Sequence, residues 1–418
     1  MNHAFKILLS IDISKVNLDN IKEAQKLLPK SGIRKIDLIR SSTFSNLCGK
    51  NIYLKLECYQ KTGSFKVRGA VTMIERLGKE SRKCGIVAAS AGNHAQGVAY
   101  ASAMNQISCK IIMPKNASPA KVAATRSYGA EVILEGNNYD ESSLIAHQIS
   151  EKEGRTLIPA FDHPDVIAGQ GTVGLEIIED LKKVDEIYVP VGGGGLIAGT
   201  AIAAKSLNPK IKIIGVESNA FPSMQKSIRK GRICNIQKGH TIADGISVKS
   251  PGKLTFKIIK EYVDEIVVVD DLAIVKTMFL LMERAKIVTE PAGAASLAYL
   301  ISNKKKITHN QNVVSILSGG NVDMYLLGQV VAKGLMQTGR MIKIFIELTD
   351  KPGALKRIVD EIALANINIV EVVHDRLSSN ISAGTAGVYL SLELENKEQS
   401  KLLVTLFDKH QIKYKLIK

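Results

Sequence analysis

Glu186-Ile187-Tyr188-Val189-Pro190-Val191 runs without a break into Gly192-Gly193-Gly194-Gly195, and Leu196-Ile197-Ala198-Gly199 then opens a helical stretch. An apolar strand that ends in glycines and turns into a helix is a unit of an open α/β sheet, in which ligands bind beyond the carboxyl ends of the strands. Four glycines let backbone N–H groups close on a phosphate with no Cβ in the way, and the helix dipole adds to the attraction. A dinucleotide site is the competing reading. It needs GxGxxG spacing and an acidic residue about twenty positions on. Glu217 stands near that distance, but the glycines do not have that spacing. No GxxxxGK[ST] occurs, which argues against nucleoside triphosphates.

Outward from this stretch, from about 20 to 333, short β-branched runs alternate with helical stretches, the order of a parallel sheet covered by helices. The predicted strands include 52–56, 85–89, 109–113, 131–134, 186–191, 211–216 and 312–317, and several run straight into glycine. After Gly339 the pattern changes. Ile342, Ile344, Ile346 and Leu348 alternate with period two, and Leu355, Ile358, Val359, Ile362 and Ala363 repeat at helical spacing. Strands at 367–373 and 388–394, a helix around Leu402, Leu403, Leu406 and Phe407, and a last strand through Ile412, Tyr414 and Leu416 complete the order βαββαβ, a ferredoxin-like module. The expected organisation is an α/β domain over 1–335 with a small subdomain near 85–162, a linker at 336–341, and the ferredoxin-like module over 342–418.

Four further segments carry chemistry. Gly63-Ser64-Phe65-Lys66-Val67-Arg68-Gly69 follows a strand and holds one lysine among small residues. A crowded lysine loses part of its preference for the charged form and becomes a nucleophile, then a general base; the plain alternative is an exposed lysine in a turn. Ser90-Ala91-Gly92-Asn93-His94 follows the 85–89 strand, where the Asn93 amide can bond a ring hydroxyl and nearby N–H groups can bind a carboxylate. His94 reads more readily as a structural residue at a helix start than as a base. Glu290, in Thr289-Glu290-Pro291, either caps a helix or lies near a substrate amine. Ser318, before Gly319-Gly320-Asn321, is either a helix N-cap or a hydroxyl at which a heterocycle ends. Together with the glycine run these segments read as a pyridoxal-phosphate site. A neutral serine cannot hold a proton on a pyridine nitrogen as a carboxylate does, so elimination is favoured over transamination.

At these motifs, from about Ile33 to the C-terminus, the chain resembles the threonine ammonia-lyases of the tryptophan-synthase-β-like, fold-type II pyridoxal-phosphate family. The resemblance implies that Lys66, next to Phe65, carries the cofactor as a Schiff base. It also implies that Asn93 touches the ring oxygen, Gly192, Gly193, Gly194, Gly195 and Leu196 hold the phosphate, Ser318 meets the pyridine nitrogen and Glu290 lies beside the cofactor. Ser90, Ala91, Gly92, Asn93 and His94 would bind the substrate. The activity implied is β-elimination from L-threonine to 2-oxobutanoate and ammonia, a step that feeds isoleucine synthesis. Racemases resembling this family carry serine where Ala91 stands, so racemisation is not expected. The C-terminal module resembles an ACT domain, with Pro352, Gly353, Ala354 and Leu355 in the loop by which such domains bind an amino-acid effector, isoleucine or valine being the expected ones. The exposed edge of such a module implies a homo-oligomer. Serine dehydratase, another β-eliminating enzyme, or a non-catalytic amino-acid sensor are the alternatives. Glu217 lacks the following aspartate of a divalent-metal pattern, so no metal is assigned.

The bulk properties agree with a multi-domain enzyme. The chain has 418 residues, 45% of them hydrophobic, enough for full cores. The net charge of +16 would suit a polyanion, but the basic residues are scattered, the longest run is Lys304-Lys305-Lys306, and aromatics are 5%, so neither nucleic acid nor membrane is an expected partner. Five well-separated cysteines without a CxxC pair fit a reducing cytoplasm rather than a disulfide framework or a zinc site. The short run from Phe5 to Ile13 contains Asp12 and is not read as a signal peptide.

Overall fold

The computed structural model describes residues 13–237, 239–303, 311–379 and 381–417. The Phe5–Ile13 run, apart from its last residue, and the Lys304-Lys305-Lys306 run lie outside the described residues. Contacts divide the chain into two compact units between Asp323 and Met324. The helix Met324–Thr338 falls in the second unit and covers positions 336–338, where a linker was expected. Leu326, Leu327, Val330 and Gly334 form its more buried stripe at helical spacing, which the sequence reading had assigned to the end of the catalytic domain.

In the first unit the strands are, in chain order, β1 (Leu38–Arg40), β2 (Asn51–Lys55), β3 (Ile86–Ala89), β4 (Cys109–Met113), β5 (Glu131–Leu134), β6 (Thr156–Leu157), β7 (Glu186–Pro190), β8 (Lys212–Ser218), β9 (Glu265–Val269) and β10 (Asn312–Ile316). They build two open sheets. The larger has the order β1-β2-β10-β7-β8-β9, all parallel except β1; the smaller has the order β5-β4-β3-β6, all parallel. This is the α/β architecture that the alternation of strand and helix predicted, and its two open sheets are those implied by the resemblance to the fold-type II family. The central strands are apolar on both faces, as a sheet covered by helices requires: every residue of β3 and of β7 is buried.

Each sheet has its own core. Ile187, Val189, Ile213, Val314 and Ile316 pack with Ile167, Ile197 and Ala201 of the covering helices. Ile86, Ala88, Ile111 and Met113 pack with Val67, Val71, Val98 and Val122. Val67 is on the helix Lys66–Glu75, so the residue next to the candidate lysine is anchored in the core of the small sheet.

The second unit carries β11 (Met341–Thr349), β12 (Asn368–Asp375), β13 (Thr385–Glu393) and β14 (Tyr414–Ile417), with helices Ala354–Leu364 and Lys397–Lys409 between them. The antiparallel sheet has the order β12-β13-β11-β14, the ferredoxin-like arrangement. Ile344, Ile346, Val388, Leu390 and Leu392 face Ile358, Ile362, Leu403 and Phe407 of the two helices.

Candidate active site

Four chain segments meet at the carboxyl edge of the large sheet. The loop before Lys66 is stitched to the loop after β10: Cys58 N donates to Leu317 O at 3.0 Å, Phe65 N to Ser318 O at 3.1 Å, and Gly320 N to Gly63 O at 2.8 Å. Ser64 and Gly319 form an isolated antiparallel bridge. Lys66 begins the helix Lys66–Glu75 within this seam, so it lies beside Ser318 although some 250 positions separate them, a long-range pairing typical of parallel sheets. The same helix is pressed against two others. A Cβ on Gly97 would come within 3.1 Å of the Val67 backbone, and one on Gly169 within 2.4 Å of Arg68 O.

A buried ionic cluster fixes the base of that helix. Arg68 is fully buried and grips Glu57 through both its Nε and Nη2, each at 2.8 Å, and Glu176 through Nη1 at 2.6 Å. Glu176 also accepts from Lys55 Nζ at 2.7 Å. Two cations and two carboxylates balance, which is the condition for keeping such charges out of water. Glu57, Lys55 and Glu176 were not singled out in the sequence: Glu57 stands 11 positions from Arg68, Glu176 meets Arg68 and Lys55 across 108 and 121, and nothing in their local spacing marks these pairs.

Lys66 Nζ donates to Ala160 O at 2.9 Å and lies 5.2 Å from the Phe65 ring centroid and 6.0 Å from that of Phe161. Burial pulls its pKa down to about 8, with the Glu290 carboxylate opposing the shift. Glu290 is pushed up to about 7, again chiefly by burial. It occupies the N-cap position of the helix Pro291–Ser302, yet its side chain does not cap; Oε1 instead accepts from Asn93 Nδ2 at 2.7 Å. The capping alternative for Glu290 therefore fails on geometry.

His94 is buried, and its Nε2 lies 2.9 Å from Ile158 O. Burial, reinforced by the Lys66 charge, brings its pKa down to about 3, so the ring is neutral and donates to the carbonyl as a structural residue. Ser90 Oγ accepts from Gly92 N at 3.1 Å, which shapes the turn ahead of the helix Asn93–Met104. Ala91 and Gly92 belong to that turn.

Gly192 to Gly194 lie between β7 and the helix Gly195–Leu207, which Gly195 begins, with Leu196 in its first turn. Cβ atoms would collide with neighbours throughout: at Gly193 with the Phe161 ring at 2.3 Å, at Gly194 with Ile259 at 2.8 Å, and at Gly195 with Gln170 Oε1 at 2.3 Å. The Gly193 carbonyl is held by Thr255 Oγ1 at 2.7 Å, and Asp162 caps the helix carrying Thr255 through the backbone of Lys253, Leu254 and Thr255. The helix Gly195–Leu207 begins in this loop, and its first N–H groups, which have no carbonyl within the helix to meet, suit an anion. Gln170 Oε1 and the hydroxyls of Thr62, Ser64 and Thr289 are buried without a hydrogen-bond partner. Such orphaned atoms call for a guest in this region. The tight cradle, the neutral-prone lysine and the unsatisfied atoms fit a phosphorylated aldehyde cofactor. Ala160, Phe161, Asp162, Gln170 and Thr255 escaped the sequence reading, since their contacts with Lys66 and the glycine loop come from segments that meet only in the fold.

Glu217 is buried and pushed up to about 7 by burial; its two oxygens accept from Met224 N and Gln225 N, each at 2.8 Å. It caps the helix Ser223–Lys230, and among the described residues no cluster of three or more His, Cys, Asp or Glu is placed to hold a metal. Pro352 and Gly353 lie in the turn after β11, Gly353 is the N-cap of the helix Ala354–Leu364, and Ala354 and Leu355 are its first two residues. No helix among the described residues is long and apolar enough to cross a membrane.

The fold and site define a class, and comparison with known proteins places the chain in it: residues 30–319 match the pyridoxal-phosphate dependent enzyme family, to which this chain belongs. Among its relatives, the L-threonine ammonia-lyase of Thermotoga maritima is 46% identical over 380 residues, covering 90% of this chain and 94% of that protein. The catabolic L-threonine dehydratase of Escherichia coli is 48% identical over 316 residues, 75% of this chain and 96% of that protein. The serine racemase structure from Dictyostelium discoideum superposes with a TM-score of 0.69 at 41% identity, covering 74% of this chain and 99% of that one.

Proposed function

We propose that the chain is an L-threonine ammonia-lyase that releases 2-oxobutanoate and ammonia. The observation that carries this reading is the convergence of Lys66, Asn93, Glu290, Ser318 and the glycine cradle at one sheet edge, in a chain 46% identical to a protein of that activity over nearly its full length. Gly192 to Gly195 would hold the cofactor phosphate, Asn93 its ring oxygen, and Ser318 its ring nitrogen. When bound, the cofactor supplies an electron-accepting ring that stabilises negative charge at the substrate Cα.

The residues do the rest. Lys66 Nζ, with its pKa near 8, takes the Cα proton and can pass one to the departing β-hydroxyl. The Ala160 carbonyl gives the amine a resting place when it is not reacting. Backbone N–H groups of the turn at Ser90 to Gly92 would receive the substrate carboxylate, and Glu290 would lie towards its amine. Phe65 and Phe161 flank the amine and limit water around it.

The likeness to serine racemases favours a second reading, in which serine is racemised. Ala91 has no hydroxyl to protonate the opposite face of the carbanion, so elimination is the expected outcome. Initial rates of oxo-acid formation from L-threonine and L-serine, with chiral analysis of residual serine, decide. Interconversion of L- and D-serine at rates near deamination would overturn the assignment.

For the second unit the reading is an ACT domain that binds an amino-acid effector, isoleucine or valine, and pairs with another copy through its exposed sheet edge. The family match at residues 30–319, with an Escherichia coli relative that is covered over nearly all of its own length by 75% of this chain, supports catalysis by the first part of the chain alone. Truncation after Thr338 should retain threonine deamination and lose inhibition by isoleucine. Equal responses of whole and truncated proteins would rule the module out as the sensor.

A further inference from the structure

Asn321 ends the Ser318-Gly319-Gly320-Asn321 segment, and the reading above gives it no role. Its Nδ2 donates to Thr62 O at 2.7 Å and to Asn93 Oδ1 at 2.6 Å; Asn93 Nδ2 in turn donates to Glu290 Oε1 at 2.7 Å. A backbone carbonyl can only accept, so Thr62 O fixes which end of the Asn321 amide points inward. That end, a donor, requires the Asn93 carbonyl to face it, and so the Asn93 NH2 must face Glu290. The polarity of the whole chain is set at Thr62.

The setting leaves the amides little room. A Cβ on Gly63 would come within 2.4 Å of Asn321 Oδ1, and one on Gly319 within 2.3 Å of Glu290 Oε1 and 3.2 Å of Asn93 Nδ2. Thr62 itself has φ +61, a left-handed conformation that a β-branched residue seldom adopts. Its carbonyl is held by Asn321 in that conformation, in the turn that leads directly to Lys66.

We propose that Asn321 is a positioning residue: it locks the Asn93 amide with its donor toward Glu290, so that Glu290 meets a donor, and never an acceptor, on that side. This rests on the reading of Asn93 and Glu290 as site residues. If Asn321 is lost, Asn93 is free to turn over. Its carbonyl then faces Glu290, and only a protonated Glu290 can donate to it, so proton uptake by Glu290 becomes easier. The other groups whose charge bears on Glu290 are Lys66, Lys121 and Asp244, with the Cys58 thiol also within its field; the test leaves all four in place.

The test follows the Glu290 carboxyl in the holoenzyme by infrared difference titration, assigned by its disappearance in Glu290→Gln, alongside the pH profile of threonine deamination. Asn321→Ala should raise the Glu290 midpoint by about one pH unit, a tenfold tighter proton. Asn321→Asp, which can only accept when ionised, should raise it further. In an Asn93→Ala background, Asn321→Ala should add nothing. An unmoved midpoint in Asn321→Ala, or a shift of the same size with and without Asn93, overturns the proposal. If the Asp variant does not fold, the neutral Ala variant and its Asn93→Ala combination still decide. Failure of the wild-type protein to deaminate threonine would remove the proposed function while leaving the infrared result on Asn321 readable.

Discussion

Gly194 and Gly353 hold the same position in two different units. Each is the N-cap of a helix, and each has a left-handed backbone, with φ of +99 and +86. Their surroundings differ. A Cβ on Gly194 would meet Ile259, Met224 and Thr255 at 2.8, 2.9 and 3.0 Å, whereas one on Gly353 would meet nothing within 4 Å. The first loop is walled by the core and offers a rigid row of N–H groups. The second is open, and its glycine answers only to the backbone. A walled loop suits a fixed anionic group held through every turnover; an open one suits a ligand that comes and goes.

The largest expected effect tests the walled site at its reacting atom. Lys66→Ala should cut deamination by about 10³-fold or more, because nucleophile and proton carrier are lost together. Borohydride reduction followed by peptide mapping should label Lys66 in the wild type and no residue in the variant. A label elsewhere would detach the glycine cradle from the chemistry assigned to it.

Next comes the cradle. Gly193→Ala drives a methyl into the Phe161 ring, and overpacking of this kind costs about 1–3 kcal/mol. Cofactor affinity, measured by reloading the cofactor-free protein, should fall by roughly 10- to 100-fold. An unchanged affinity would mean that the wall yields, and the contrast with Gly353 would then reduce to backbone conformation alone.

Glu290 sharpens the comparison through pH. Its pKa rises from 4.5 to about 7 because burial disfavours the charged form. A raised carboxyl makes its contribution to stability in full below the unfolded value and loses it as pH climbs through the folded one. Thermal unfolding of the cofactor-free protein should therefore show wild type losing stability between pH 4.5 and about 7 relative to Glu290→Gln. Parallel curves would place Glu290 in water, outside the wall.

How far the sequence led follows the same division between local and long-range order. β4 and β5 agree with the sequence to the residue, because each is a short β-branched or apolar run with turn residues beside it. Lys66, Asn93 and the glycine run were legible for a related reason: glycine, a lone lysine and an amide at the end of a strand are local signs of ligand chemistry. Phe161, Gln170, Thr255 and the Arg68–Glu57–Glu176 cluster were not, since their roles depend on which segments meet in space. Glu290 was legible as a helix start, and only its bond to Asn93 showed that it does not cap. The helix Met324–Thr338 displaced the expected boundary because helical periodicity alone does not say which body an element joins.

The smallest effect belongs to the open loop. Gly353→Ala places a Cβ in free space but holds a non-glycine residue at φ +86, which costs about 1–2 kcal/mol. The cost should appear as a lower unfolding temperature of the second unit, with threonine deamination unchanged in the absence of effector. If the loop binds an amino acid as proposed, the variant should also shift the isoleucine concentration needed for inhibition, because the strained turn relaxes away from the conformation that presents its N–H groups. A variant that loses stability and keeps its isoleucine response would confine Gly353 to folding, and the difference between the two glycine caps would then lie in packing without any difference in ligands.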